Sequence, residues 1–180
     1  MAALGEWNVV ITVSEHAFAA AREWLARFGK VRRTDYYNVL VLQVEDTAHF
    51  PDALKAGLER EPAAAQWLSR IVPLSVTFGF QDAGQFEHQA RRAVEPWARA
   101  LRGKRFHVRM HRRGFKGRLS SQHEETFLDH FLIEAAGDGG TRVDFDDPDI
   151  VIALETVGQR GGVSRWTRED RRRYPFLKLD

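Results

Sequence analysis

Apolar positions along the first eighty residues alternate between two periods, and that alternation predicts the elements. Trp7–Val13 (WNVVITV) is β-branched and apolar, the signature of a strand. Ser14 is a good N-cap residue. After it Phe18, Ala21, Arg22, Leu25 and Phe28 recur at helical spacing, and Gly29 supplies a stop. Val31–Asp35 and Tyr37–Val44 read as two further strands. Asp46–Arg60 reads as a helix with Phe50, Leu54 and Leu58 four apart and Pro51 confined to its first turn, and Ala63–Ser69 as a further helical turn. Ile71–Phe78 reads as a final strand whose Pro73 places it at an edge or a bulge. The order is βαββαβ, a ferredoxin-like arrangement with helices on one face of an antiparallel sheet.

Gly79–Gly84 marks the expected boundary, giving a first domain over residues 1–82 and a second over 83–180 with a basic C-terminal tail. Phe86, Ala90, Ala93 and Val94 form a helical stripe that Pro96 interrupts, and Pro96–Leu101 continues as a second helix. From Arg105 the period becomes two. Phe106, Val108 and Met110 fall on one side, and Arg105, His107, Arg109 and His111 on the other. Ser121-x-x-Glu124 reads as a capping box that opens a helix with Phe127, Leu128, Phe131, Leu132 and Ala135 inward. Arg142–Phe145 and Asp149–Val157 read as strands around a DDPD turn, and Gly158–Gly162 leads to a last strand or extended tail through Trp166. The second half is thus ααβαββ, and the whole chain α+β.

Charge sharpens this picture. Residues 1–83 hold 8 Lys/Arg against 10 Asp/Glu, whereas residues 84–180 hold 19 against 15. Gly103–Arg118 alone has seven Lys/Arg, two His and no acid. A strand with one apolar and one cationic face calls for a polyanionic partner or for internal acids to offset like-charge repulsion. The phosphate-binding candidates are Lys104, Arg105, Arg109, Arg112, Arg113, Lys116 and Arg118, because Arg offers a forked and permanently charged donor. Arg160, Arg165, Arg171, Arg172 and Arg173 form a second group. Phe115 and Trp166 sit among cations where a base can stack, although core packing accounts for either ring as well. Pairing across the sheet, with Glu155 for instance, is the alternative for individual arginines.

Other chemistry is thinly represented. There is no cysteine, hence no disulfide, thiolate metal site or sulfur relay. No glycine-rich cofactor fingerprint, P-loop or H-x-E…C-x-x-C set is present. His107 with His111, and His123 with His130, share element faces but lack further ligands, so no metal site is expected. Asp144, Asp146, Asp147 and Asp149 supply oxygen ligands of the kind Mg²⁺ takes, but Asp and Pro are also ordinary turn residues. The start, MAALGEWN, has no signal-like pattern and no apolar run approaches membrane length. A cytoplasmic location is expected, with no membrane partner.

FHVRMHRRG at Phe106–Gly114, the helix near Ser120, and VDFDDPDIVIALE at Val143–Glu155 together resemble the THUMP domain, an RNA-binding module of tRNA-modifying proteins, over Gln85–Arg165. A small ferredoxin-like domain commonly precedes THUMP in that family. With no catalytic domain after RRRYPFLKLD, the resemblance is to the free-standing THUMP adaptor of tRNA cytidine N4-acetylation. It implies tRNA as a partner, a separate RNA cytidine acetyltransferase, no cofactor and no catalysis of its own. The competing expectation is a self-contained RNA-modifying or nucleotide-acting enzyme that uses the acidic turn and the Arg row.

Overall fold

Strand β1 (Val9–Val13), helix α1 (Phe18–Leu25), strands β2 (Lys30–Arg33) and β3 (Val39–Gln43), helix α2 (Phe50–Arg60) and strand β4 (Leu68–Pro73) follow one another in the expected order. The computed structural model describes residues 4–179, so Met1–Ala3 and Asp180, the outermost residues of the two expected domains, lie outside it. The sheet order is β2-β3-β1-β4, antiparallel throughout. Val9, Ile11, Leu40, Leu42 and Ile71 of the sheet pack with Trp24, Leu25, Phe50 and Leu54 of the two helices.

Two local expectations fail here. Ser14 does not cap α1: its carbonyl accepts the Ala17 amide in a tight turn through His16 (φ 64°), and Phe18 opens the helix. The expected strand Ile71–Phe78 is two strands. β4 ends at Pro73 as an edge strand, with a register shift opposite Thr12/Val13, and β5 (Val76–Gly79) belongs to another sheet.

That second sheet builds the other unit. Helix α3 (Ala83–Val94) is capped by Asp82, which accepts the Gln85 amide at 2.8 Å, and a 3-10 turn over Glu95–Leu101 follows it. Then come β6 (Arg105–Arg113), α4 (Ser121–Ala136), β7 (Arg142–Val143), β8 (Ile150–Val157), β9 (Arg160–Thr167) and the short α5 (Arg168–Arg173). The sheet order is β5-β9-β8-β6-β7. β6 runs parallel to both of its neighbours, whereas β8 and β9 form a hairpin through Gly158 (φ 61°) and Gln159. Phe86, Ala90, Val94, Leu101, Leu128 and Leu132 cover one face of this sheet through Phe106, Val108, Ile152, Leu154 and Val163.

Among the described residues the compact units are therefore 4–75 with 174–178, and 76–173 with 179. The first expected boundary lies a strand too late because Val76–Gly79 pairs with β9. The expected C-terminal tail divides because Tyr174–Lys178 returns to the first unit. There Phe176 accepts the Ile71 amide, and Tyr174 donates its hydroxyl to Asp52 at 2.7 Å.

The expected Ser121–Glu124 capping box does not form, and a single serine cap stands one residue earlier. Ser120, not Ser121, accepts the His123 amide, and Glu124 is only 2 % exposed. Ala135 faces solvent, and Leu128, Leu132 and Ala136 are the buried apolar line. Ser120→Ala is expected to cost about 1 kcal/mol in urea unfolding and Ser121→Ala a few tenths at most; equal losses would contradict the cap assignment.

Candidate nucleic-acid interface

β6 carries the acid-free segment, and its neighbours decide what each cation can do. The alternation holds for the apolar side, where Phe106, Val108 and Met110 are buried. Opposite them the cationic row is largely dismantled. Arg105 donates to Asp147 at 3.0 Å and to Asp149 at 3.2 Å, while Asp149 also accepts the Arg105 amide at 2.9 Å. Arg168, at the start of α5 and outside both expected cation groups, donates to Asp147 and, at 3.1 Å, to Asp149. The Arg105 amide and guanidinium hold the Asp149 carboxyl far below the usual carboxylate range, and Arg168 lowers Asp147. The DDPD turn is thus a clamp closed by two arginines. This removes Arg105 from the free cations and commits Asp147 and Asp149 to guanidinium partners.

His107 is also withdrawn. It is buried, its ring centre lies 5.6 Å from that of Phe145, and burial pushes its pKa below the ordinary value, so it is neutral at neutral pH. Arg113 donates to Glu155 at 2.7 Å, with His111 Nδ1 3.7 Å from the same carboxylate. Glu155 is fully buried, so Arg113 is its counter-ion.

Phe115 is corrected outright as a stacking platform. It is 8 % exposed, packs 5.0 Å from the Phe80 ring and belongs to the core, its backbone at φ 54° turning the side chain inward from the loop. Trp166 is equally buried and donates its indole N–H to Ser164. In the second group Arg160 donates to Thr77 at 2.6 Å, and Arg171 donates to the Pro148 and Trp166 carbonyls. Arg165 lies exposed, its guanidinium carbon 5.8 Å from the Trp97 ring centre, and Arg172 and Arg173 are exposed on α5.

What remains is Arg109 on the open face of β6 and the cations that follow it, of which Arg112 and Arg118 share one cavity wall. Arg109, Lys116 and Arg118 are exposed, and Arg112 beside them donates to the Gly114 carbonyl. Among the described residues none of these four has a carboxylate partner. Arg118 lies over the Phe115 ring at 4.2 Å, a contact that orders the guanidinium while leaving its charge available. Lys104, at the other end of β6, is exposed as well.

The outer edge of β6 shows a device that no motif announced. β7 pairs with it only at Arg105 and Phe106. Beyond them α4 substitutes carboxylates for a neighbouring strand: Asp129 accepts the Val108 amide at 3.0 Å and Glu125 the Met110 amide at 2.7 Å. Residues four apart on a helix share a face, and strand amides two apart share an edge, so the two acids match the two open donors. Burial pushes the Asp129 pKa up to about 7 despite the Val108 hydrogen bond. The readable signal was an acid set between Leu128 and Leu132 in an inward stripe.

No protein-family model matches this chain, and no curated protein matches it in sequence. Solved structures do match in fold. PH1313 from Pyrococcus horikoshii Ot3 aligns with 90% of this chain and 55% of its own, with TM-score 0.56 at 11% identity. A 4-thiouridine synthetase, solved as an RNA complex with bound ATP, aligns over 90% of this chain and 42% of its own, with TM-score 0.57 at 16% identity. TrmN from Thermus thermophilus aligns over 90% and 46%, with TM-score 0.54 at 15% identity. The fold is shared. The protein is α+β, a ferredoxin-like unit with a THUMP-like one, and the chain spans about half the length of the structures it resembles. No helix among the described residues is long and apolar enough to cross a membrane.

Proposed function

We propose that this chain is a tRNA-binding adaptor in the cytoplasm. It presents tRNA to a separate modifying enzyme, and the partner that the THUMP resemblance implies is an RNA cytidine acetyltransferase forming N4-acetylcytidine. The observation that carries the reading is the set Arg109, Arg112, Lys116 and Arg118, four positive charges on β6 and in the loop after it that have no carboxylate partner among the described residues. A fold shared with a synthetase solved together with RNA supports the choice of polyanion. Lys104, Arg165, Arg172 and Arg173 extend the positive surface, while Arg105 and Arg113 hold the scaffold. Arginine and lysine aimed at phosphates give affinity without base preference.

The test is tRNA binding followed by fluorescence anisotropy across salt. With about four neutralised phosphates, affinity falls about a hundredfold between about 50 and 200 mM salt. The triple variant R112A/K116A/R118A binds weakly to every tRNA, and its salt dependence is shallower by about three contacts. Binding equal to the parent's by the folded variant overturns the interface. Added to a purified acetyltransferase, the chain raises tRNA acetylation and by itself leaves tRNA unmodified. Modification by the chain alone overturns the adaptor role.

A further inference from the structure

The displaced cap of α4 has a chemical outcome. With Ser120 as N-cap, His123 and Glu124 occupy the end of the first turn, and Glu87 of α3 reaches the same spot. His123 Nε2 lies 3.3 Å from Glu87 Oε1, and one donor atom from each of Glu87, His123 and Glu124 falls within 4.8 Å of the others. They line a cavity of about 560 Å³ whose other walls include Arg112, Arg118 and Ser120.

Glu124 is the anomaly. Its side chain is withdrawn from water at 2 % exposure, yet Oε2 receives no hydrogen bond, and a second carboxylate stands beside it. An unmatched buried carboxylate oxygen is costly, and a neighbouring acid adds repulsion. A solvated face would turn such a side chain outward. A divalent cation answers both penalties together.

We propose that Glu87, His123 and Glu124 bind a divalent transition-metal cation, Zn²⁺ by preference. One imidazole and two carboxylates form a mixed nitrogen and oxygen set, which suits zinc better than the all-oxygen cages of Ca²⁺ or Mg²⁺. Metal–ligand bonds of about 2.0–2.1 Å in a tetrahedron separate donor atoms by about 3.3 Å, which is the His123–Glu87 spacing. Glu124, itself buried, is the fixed ligand, whereas His123 is exposed and free to adjust. The two carboxylates balance the dication against Arg112 and Arg118 on the cavity's other wall, and a water or an anionic oxygen completes the coordination. The proposal does not depend on RNA binding.

The experiment uses the untagged full chain, stripped with chelator and titrated with Zn²⁺ near neutral pH by calorimetry. One Zn²⁺ per chain binds in the micromolar range or tighter. His123→Ala and Glu87→Gln, both at positions with side-chain exposure, each weaken binding by about tenfold or more while circular dichroism stays unchanged. Cobalt(II) in place of zinc gives a visible absorption band that His123→Ala abolishes. Lack of saturable uptake at tens of micromolar Zn²⁺ means that the cluster holds only a proton and overturns the proposal. Uptake that both variants retain at full strength places the metal elsewhere and overturns it equally.

Discussion

Arg113→Ala is expected to lower unfolding free energy by about 3–5 kcal/mol, although the residue sits in the most cationic stretch of the chain. The reason is Glu155. That carboxylate is fully buried in β8, and the Arg113 guanidinium reaches it at 2.7 Å. Removal of the cation strips the buried carboxylate of its 2.7 Å guanidinium partner, and the His111 imidazole at 3.7 Å is too far to replace that hydrogen bond. Removing both charges is different: a paired hydrophobic replacement such as R113M/E155L should return most of the loss, because a buried pair and a well-packed apolar contact are close in free energy. Arg109→Ala, two turns of the pleat away and exposed, should stay within about 0.5 kcal/mol of the parent. Urea unfolding followed by tryptophan fluorescence measures all three. A cost under about 1 kcal/mol for Arg113→Ala would return that residue to the pool of phosphate contacts.

The second large effect is on pH dependence. Asp129 is 5 % exposed, and its pKa moves from the ordinary 3.8 to about 7. Because the native value lies above the unfolded one, the folded state holds the proton more tightly. The stabilising share is complete below about pH 4 and is lost as pH rises through about 7, an amount on the order of 4 kcal/mol. Asp129→Asn keeps an oxygen for the Val108 amide but cannot ionise. Parent and variant should therefore be close in stability near pH 4.5, with the variant ahead by up to about 4 kcal/mol near pH 8. Parallel pH profiles for the two proteins would show that the carboxyl titrates normally in the fold. Asp149 does not confuse the comparison, since its pKa is lowered and its titration falls at more acid pH.

Most of the fold was legible because hydrophobic periodicity is a local record of burial. β1, β3, α2 and β6 could be read from three to five apolar residues each, and Pro73 correctly marked an edge. Boundaries between sheets were not, since IVPLSVTF is a good strand by composition and only its pairing partners divide it between β4 and β5. Charge misled for a related reason. A run of arginines records net charge along the chain, whereas neutralisation happens across strands. Asp147 and Asp149 lie more than forty residues after Arg105, and Glu155 follows Arg113 by a similar distance. Lys116 and Arg118 kept their expected exposure because the loop that carries them contains no acid and neither has an ion-pair partner among the described residues. Phe115 went the other way since a positive φ, invisible in composition, aims the ring at Phe80. The Glu87–His123–Glu124 cluster was hidden by distance and by a single-residue error in the cap.

Phe176 closes the far side of β4 by accepting the Ile71 amide, and the Lys178 carbonyl accepts from Arg70 at 2.8 Å. The amino-terminal sheet is therefore finished by residues that leave the ribosome about a hundred positions after it. During vectorial synthesis that sheet waits with an open border, the kind of surface on which nascent chains cross-pair. Residues 76–173 of the other unit emerge before Tyr174–Lys178, so that unit can gather nearly all of its chain while the first sheet still lacks its border.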